Sequence, residues 1–382
     1  MAQDKNKTIP NVPPLRFPGF TDEWKRTTLG EISKSISSGK SGNPIECGEY
    51  ELYGSTGIIG RTNSGDYDGE KILVARVGAN AGKINYNSIR CGITDNTLIV
   101  QPKEISAKYI YYHLIHSNLN RLVFGSGQPL ITGGMLKKLK INIPSSDECE
   151  YIVKFLECID SRIATQYKII DNYLSFLKGL NDRFHDNEQC ESISFDELGH
   201  SYSGLSGKSG DDFGHGQPYI TYLNVFQNNV VDEGQIGLVT IDKNEIQNTI
   251  SYGDVLFTLS SETPEETGIG CVYLGQSGKY YLNSFCFGVR ITQSNKVYPP
   301  YLAHLVSSSK FRRFVYPLAQ GSTRFNLQKK DFMRQKFMLL PVEKQKEISK
   351  TLDALHDKIS IEFNLLNLYK IQKMHLLRSM FI

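Results

Sequence analysis

The chain has 382 residues, room for about two domains, and its 40% hydrophobic and 22% charged content is ordinary for a folded protein. Lys and Arg outnumber Asp and Glu only 43 to 40, so any nucleic-acid surface must come from local clustering rather than overall charge. Seven scattered cysteines with no CxxC argue against a disulfide frame or zinc site and fit reduced thiols in a cytoplasm, and no run of 18 apolar residues is present to span a membrane.

Residues 1–14 are polar and proline-rich, lack an apolar core of the kind a signal peptide needs, and are expected to form a mobile tail. A first globular region is expected over 15–145. Phe17, Phe20 and the sole tryptophan, Trp24, should anchor its start on a core. Short β-like runs follow at Tyr50–Tyr53, Lys71–Val77 and Thr97–Val100, separated by Gly-rich turns. A helix is expected from Ala107 to about Val123, then a Gly/Gln/Pro loop, then an alternating strand at Lys137–Ile143. A long helix should occupy 146–185. After a polar linker, His185–Glu191, a second globular region is expected over 186–341. It has strand-like runs at Tyr219–Tyr222, Val255–Leu259, Cys271–Leu274 and Phe285–Ile291, a helix from Pro300 to about Val315, and a last strand at Lys336–Leu340. A second long helix should fill 342–382.

The two long helices carry one heptad pattern. Ile152, Leu156, Ile159, Ile163, Ile170, Tyr173, Leu177, Leu180 and Phe184 fall at alternating spacings of four and three, interrupted only by Gln166. Ile348, Leu352, Leu355, Ile359, Leu366, Tyr369, Leu376 and Met380 repeat the series 196 residues later, with Glu362 in the polar slot and Lys373 where the first copy has Leu177. An antiparallel intrachain pair is expected, favoured over a homodimer zipper because both copies lie in one chain. About 36 residues at 1.5 Å each would span roughly 54 Å. Off-seam apolar residues such as Phe155, Leu174, Phe176, Ile361, Phe363, Leu368 and Ile371 widen the apolar face enough to want partners.

The globular halves also read as a repeat. SGKSG occurs at 38–42 and 206–210, each after a Leu-Gly pair at 29–30 and 198–199. LNRLV at 119–123 aligns with FRRFV at 311–315, and Gly125-Ser126 with Gly321-Ser322. Divergence between these anchors falls in Gly/Ser/Asn/Thr loops, where binding residues usually sit.

Catalytic equipment is not visible. SGKSG lacks the leading glycine of a nucleotide-binding loop, which is replaced by Lys34 and Tyr202. His113 and His116 are three apart but have no HExxH context or evident third ligand. A binding module is therefore expected, not an enzyme. The loop chemistry suits DNA, since Lys and Arg neutralise phosphates while Arg, Asn, Gln and Glu pair with base edges. Candidates in the first half are Lys40, Ser55, Thr56, Arg61, Arg76, Asn80, Lys83 and Gln128. Those in the second are Lys208, Tyr219, Asn224, Ser261, Glu262, Asn283, Gln320, Ser322, Thr323 and Arg324. Arg76 and Arg324 rank first, being at strand or loop ends beside small residues.

LRFPGFTDEWKRTTLGEI (15–32), YGSTGIIG (53–60), KILVARVGANAGKI (71–84), ITDNTLIV (93–100), GSGQPLITGGMLKKLKINIPSSDECEYI (125–152) and QGSTRFNLQKKDFMRQKFMLLPVEKQKEI (320–348) resemble the specificity subunit of a type I restriction-modification enzyme. The family's Glu-Gln lead-in to each long helix is imperfect: Glu148-Cys149 in one copy, Lys344-Gln345 in the other. The resemblance implies an α+β protein with two similar target recognition domains separated by an antiparallel pair of long coiled-coil helices. It implies recognition of a bipartite duplex DNA target, a cytoplasmic location, and no cofactor in this chain. Two methyltransferase subunits using S-adenosylmethionine would dock on the helices, and restriction subunits would translocate DNA with ATP and Mg. Two rivals remain at this point: a coiled-coil scaffold that does not touch DNA, and a nucleotide-dependent enzyme.

Overall fold

The structure is a computed structural model, described here for residues 11–122, 129–184, 190–276 and 278–382. The chain divides into two compact units, Met1–Tyr167 with Asn364–Ile382, and Lys168–Phe363.

In the first unit, β1 (Lys25–Thr28) leads directly into the one-turn helix α1 (Leu29–Ile32). A capping box starts that turn: Glu31 N donates to Thr28 Oγ1, and Thr28 N donates to the Glu31 carboxylate. There follow β2 (Ser33–Ser38), β3 (Tyr50–Gly54), β4 (Gly57–Thr62), β5 (Lys71–Ala75), β6 (Ile84–Asn87), β7 (Gly92–Ile93) and β8 (Thr97–Pro102). Next come helices α2 (Ala107–Ser117) and α3 (Gly133–Lys137), and β9 (Lys140–Ile143), which pairs antiparallel with β1. The main sheet has the order β2-β8-β5-β6, and a smaller one the order β4-β3-β7, in which β3 and β7 run parallel. The central strands are apolar on both faces because both are covered. Ile72, Val74, Leu98 and Val100 pack under α2, while Leu73 and Ile99 meet Cys91 and Ile93 of the smaller sheet. The same core takes in Leu376, Leu377, Met380 and Phe381, and Asn142 Nδ2 donates to the Ile382 carbonyl at 2.7 Å.

Before the second unit's strands comes α4 (Ser146–Phe184), of which Lys168–Phe184 belongs to that unit. The second unit repeats the plan with β10 (Glu191–Ser194), α5 (Phe195–Leu198), β11 (Gly199–Ser203), β12 (Phe213–Ile220), α6 (Tyr222–Gln227), β13 (Ile236–Val239), β14 (Val255–Thr258), β15 (Ser260–Ser261), β16 (Gly270–Val272), β17 (Tyr281–Leu282) and β18 (Cys286–Ile291). It continues through α7 (Pro299–Ser307), α8 (Ser309–Val315), β19 (Ala319–Gln320), β20 (Phe325–Leu327), α9 (Lys329–Arg334), β21 (Lys336–Leu339) and α10 (Val342–Met380). Its sheets, β11-β18-β14-β16, β13-β12-β17 and β10-β21, correspond strand for strand to those of the first unit, again with one parallel pair, β12 and β17. A third small sheet, β15-β20-β19, stands where the first unit has an isolated bridge between Val77 and Leu130. Phenylalanines fill the core: the Phe195 ring lies 5.3 Å from Phe332 and 4.8 Å from Phe337.

Helices α4 and α10 are each a continuous 39 residues. In the first unit Ile152 and Leu156 of α4 share a core with Leu376 and Met380 of α10. In the second, Leu177 and Leu180 share one with Ile348 and Leu352. The start of each helix therefore meets the end of the other, the antiparallel pairing expected from the heptads. Seam residues Ile159, Ile170, Ile359 and Leu366 are buried, as are the polar slots Gln166 and Glu362, while Ile163 and Leu355 are half-buried.

Several sequence expectations need correction. Asn11–Pro14 is not a loose tail: Trp24 N donates to the Asn11 carbonyl, Asn11 Nδ2 donates to the Trp24 carbonyl, and Pro13 is buried. The helix from Ala107 stops at Ser117, because Asn118 takes a left-handed φ of +46°, and a 3-10 turn follows over Leu119–Leu122. The helix after Pro300 is two helices, broken at Ser308, whose hydroxyl caps α8 by accepting from Phe311 N. Lys137 closes α3 instead of starting a strand, and Tyr222 opens α6. The SGKSG repeat is out of register. Gly39 N donates to the Thr97 carbonyl and Gly204 N to the Cys286 carbonyl, so Gly39 corresponds to Gly204, not to Gly207. The Leu-Gly pairs slip by the same three residues, since the capped turns begin at Leu29 and Phe195.

Candidate nucleic-acid interface

In the first unit the turn after β5 and the β3–β4 hairpin approach each other: Lys83 Nζ donates to the Thr56 carbonyl at 3.3 Å. Asn80 and Lys83 line a cavity of about 360 Å³ together with Asn118 and Asn120, neither of which the loop reading had picked out. Gly82 is required there, with φ +91° and a position where a Cβ would lie 2.5 Å from Asn120 Oδ1. Ser55 and Thr56 sit at the hairpin tip, and Lys40 is exposed after β2. Arg76 is half-buried. Its backbone bridges Asn96 and Ile131, and its Nε meets no hydrogen-bond partner among the described residues. Arg61 straps its own hairpin, donating to the Gly48 and Glu49 carbonyls at 2.6 and 2.7 Å. Gln128 lies outside the described residues.

In the second unit Ser261, Glu262 and Arg324 line one cavity of about 400 Å³, with Glu266, Tyr222, Leu223, Phe226 and Phe285 around them. The Arg324 guanidinium lies 5.7 Å from the Phe285 ring centroid. Gln320, Ser322 and Thr323 are exposed on the same β19–β20 loop. Ser261 is buried and its hydroxyl donates to Glu266 at 3.0 Å, which leaves it a supporting part.

Four candidates make contacts within the fold instead. Asn224 is fully buried, donates to the Asp232 and Gln235 carbonyls and accepts from Asp232 N, so it pins the loop after α6. Lys208 is spent on Glu245 at 2.5 Å. Hydrogen bonds from Gln247 and then Lys208 hold the Glu245 carboxyl down to about 2. Asn283 turns its own loop, Oδ1 accepting from Phe285 N at 2.9 Å, and Tyr219 packs against Phe213 at the edge of Gly237.

Hydrogen-bond register identifies residues that sequence reading missed. Arg76 N donates to the Asn96 carbonyl, and Leu259 N to the Phe285 carbonyl, so Asn96 and Phe285 occupy the same point of the two units, and both are exposed. Asn120 and Arg312 correspond through the LNRLV and FRRFV segments. Arg312 donates to the carbonyls of Gly268, Glu265 and Thr267 at 2.6–2.7 Å, tying down the loop that matches Gly82. A large apolar residue isolated in a polar loop, as Phe285 is in NSFC, was the available signal.

The family model described as type I restriction modification DNA specificity domain matches twice, over residues 21–172 and 194–368, and the chain belongs to this family. It is 32% identical over 155 residues to the type I restriction enzyme EcoprrI specificity subunit of Escherichia coli; the matched stretch spans 38% of each chain. Its fold resembles that of a type I restriction-modification S subunit from M. genitalium (TM-score 0.56, 15% identity, 97% and 99% of the two chains). It also resembles a chain from a study of assembly and conformational transition in a type I system (TM-score 0.62, 12% identity, 95% and 98%).

Proposed function

We propose that this chain is the DNA-reading subunit of a type I restriction-modification enzyme, each half recognising one part of a bipartite duplex target. The single observation that carries this is the duplicated sheet architecture with different chemistry at a matched point, Asn96 against Phe285. A frame kept twice with altered tips suits two different short words. In this reading the helix pair sets the number of base pairs between the words, because a continuous helix adds about 1.5 Å per residue. Exposed apolar residues along the two helices, among them Tyr151, Phe176, Ile361, Leu368 and Ile371, would dock two methyltransferase subunits. Those partners would supply S-adenosylmethionine chemistry, and further restriction subunits would supply ATP- and Mg-dependent translocation. The location would be cytoplasmic.

Mapping methylated adenines across the genome of cells with and without this chain tests the reading. The expected result is one two-part motif with a fixed gap that vanishes with the chain. An unchanged pattern, or a single unbroken motif, would sink it. The scaffold alternative draws on the same exposed helix residues; it predicts that duplex binding by the assembled complex is absent or does not weaken with salt.

A further inference from the structure

We propose that the second unit reads a thymine through its 5-methyl group, in the cavity built by Phe285, Leu223 and Phe226. This rests on the DNA-reading function proposed above and names the base it sees. Phe285 is 54% exposed and Leu223 58% exposed, yet both line one cavity of about 400 Å³ instead of lying apart on the surface. Phe226 lines it too, with its ring stacked 5.8 Å from Tyr222, and Tyr222 is itself fixed by donating from Oη to the Ser260 carbonyl at 2.9 Å. The wall is therefore preformed, apolar and open to solvent.

The rim decides what enters. Glu262 and Glu266 stand against the one cation, Arg324, so the formal charge of the cavity lining is net negative. A phosphodiester would be repelled there, whereas a base edge carries no net charge. Among base edges in the major groove, thymine alone of the four standard bases presents a methyl group, and apolar side chains are its usual contact. Arg324, its guanidinium 5.7 Å from the Phe285 ring centroid, offers donors to acceptors on a neighbouring base. The first unit places Asn96 at the corresponding point, a side chain suited to adenine. The two halves would thus differ in the base they read at the same station of the fold.

The test uses the assembled methyltransferase carrying this chain and a duplex bearing its mapped target, with each thymine replaced in turn by deoxyuridine. Removing one buried methyl should weaken binding about fourfold at a single thymine of the second unit's half-site. Phe285→Ala, and independently Leu223→Ala, should bind the thymine and uracil duplexes alike while the other half-site is read as before. Wild-type indifference at every thymine would overturn the proposal, as would a thymine preference retained by both variants. If the variants keep that preference but lose subunit assembly, the cavity holds protein, and the proposal fails. If the wild-type complex prefers no duplex sequence at all, the failure belongs to the DNA-reading function itself.

Discussion

The Glu148 carboxylate grips Arg16 with both oxygens, accepting from Nε at 2.6 Å and from Nη2 at 2.8 Å, and Trp24 Nε1 donates to it as well at 3.1 Å. Glu148 is 1% exposed, at the first turn of α4. The single residue thus ties the N-terminal segment, the buried tryptophan and the long helix together. Glu148→Gln keeps the shape but leaves a mostly buried guanidinium without its counter-charge, and should lower unfolding stability by about 2–4 kcal/mol. Chemical denaturation of the variant beside Arg16→Ala measures this; the double variant should cost less than the sum of the singles.

The second copy solves the same junction differently. Gln345, fully buried, donates from Nε2 to the Lys296 and Leu340 carbonyls and accepts from Tyr298 N. Each copy carries one member of the Glu-Gln lead-in, and in each that member is buried and hydrogen-bonded. The lapsed positions, Cys149 and Lys344, carry no equivalent network: Cys149 is a buried free thiol, and Lys344 pairs at the surface with Glu347.

Arg312 tests whether loop geometry matters apart from loop chemistry. Its guanidinium holds three carbonyls of the Glu265–Gly268 turn and reaches no cavity-lining side chain among the described residues. Arg312→Ala leaves those partly buried carbonyls unpaired and should cost about 1–3 kcal/mol of stability. Methylation mapping should then show weakened reading of one half-site only. Equal weakening of both would mean that the turn does not position a reader.

Arg324 tests the chemistry itself. It lies exposed beside Gly321, whose φ of +147° lets the loop fold back until a Cβ there would meet the Arg324 carbonyl at 2.1 Å. Arg324→Ala should relax discrimination at one position of one half-site by about 1–3 kcal/mol, leaving thermal stability within about 0.5 kcal/mol of wild type. An unaltered methylation motif would remove Arg324 from the interface.

Much of the frame was legible in the sequence because it is periodic. The heptad seam predicted two long helices of equal register, since a 3.5-residue repeat has one structural solution. The two-sided apolar runs at Lys71–Ala75 and Cys286–Ile291 were recognisable for a similar reason. The register of the repeat was not legible at the N-terminal end of each half. The two SGKSG copies are three residues out of step, and the carbonyl that each strand-end glycine meets reveals the structural match. Composition alone does not place the binding candidates. Loops rich in Asn, Ser and Lys can face solvent or stitch themselves together, and Asn224 and Lys208 do the second. Phe285 opens the apolar run Phe285–Ile291 in the sequence, where an aromatic residue reads as core.

Acid should unfold the first unit through His113. Burial pushes its imidazole down to about 4 from 6.5, and burial likewise lowers neighbouring His116. The folded form therefore binds fewer protons than the unfolded chain between those values. The neutral imidazole's stabilisation is complete above about pH 6.5 and is lost progressively as pH falls toward 4, on the order of 3 kcal/mol in all. Thermal melting across this window should fall more steeply for wild type than for His113→Gln. Parallel slopes would assign the acid sensitivity to other groups.

Cutting the chain at about residue 190 tests the helix pair most directly. The remaining piece keeps the first unit's sheets but loses Leu376, Leu377, Met380 and Phe381 from their core. Phe381 alone meets Trp24, Tyr109, His113 and His116, with ring centroids 5.5–6.5 Å away. Such an exposed core needs a cover, and the 196-residue repeat supplies one: in a second copy, Ile170, Leu180 and Phe184 stand in the heptad slots of Leu366, Leu376 and Met380. The fragment should therefore form a two-fold dimer, each α4 filling its partner's empty seam, and in the assembled enzyme should direct methylation to a palindromic word. Sedimentation equilibrium decides the first point, because a fragment that is monomeric at high concentration cannot have its seam filled this way. Methylation mapping decides the second: a fragment that still specified the parent's asymmetric bipartite motif would show that one half carries both words, and the division of labour between the halves would have to be abandoned.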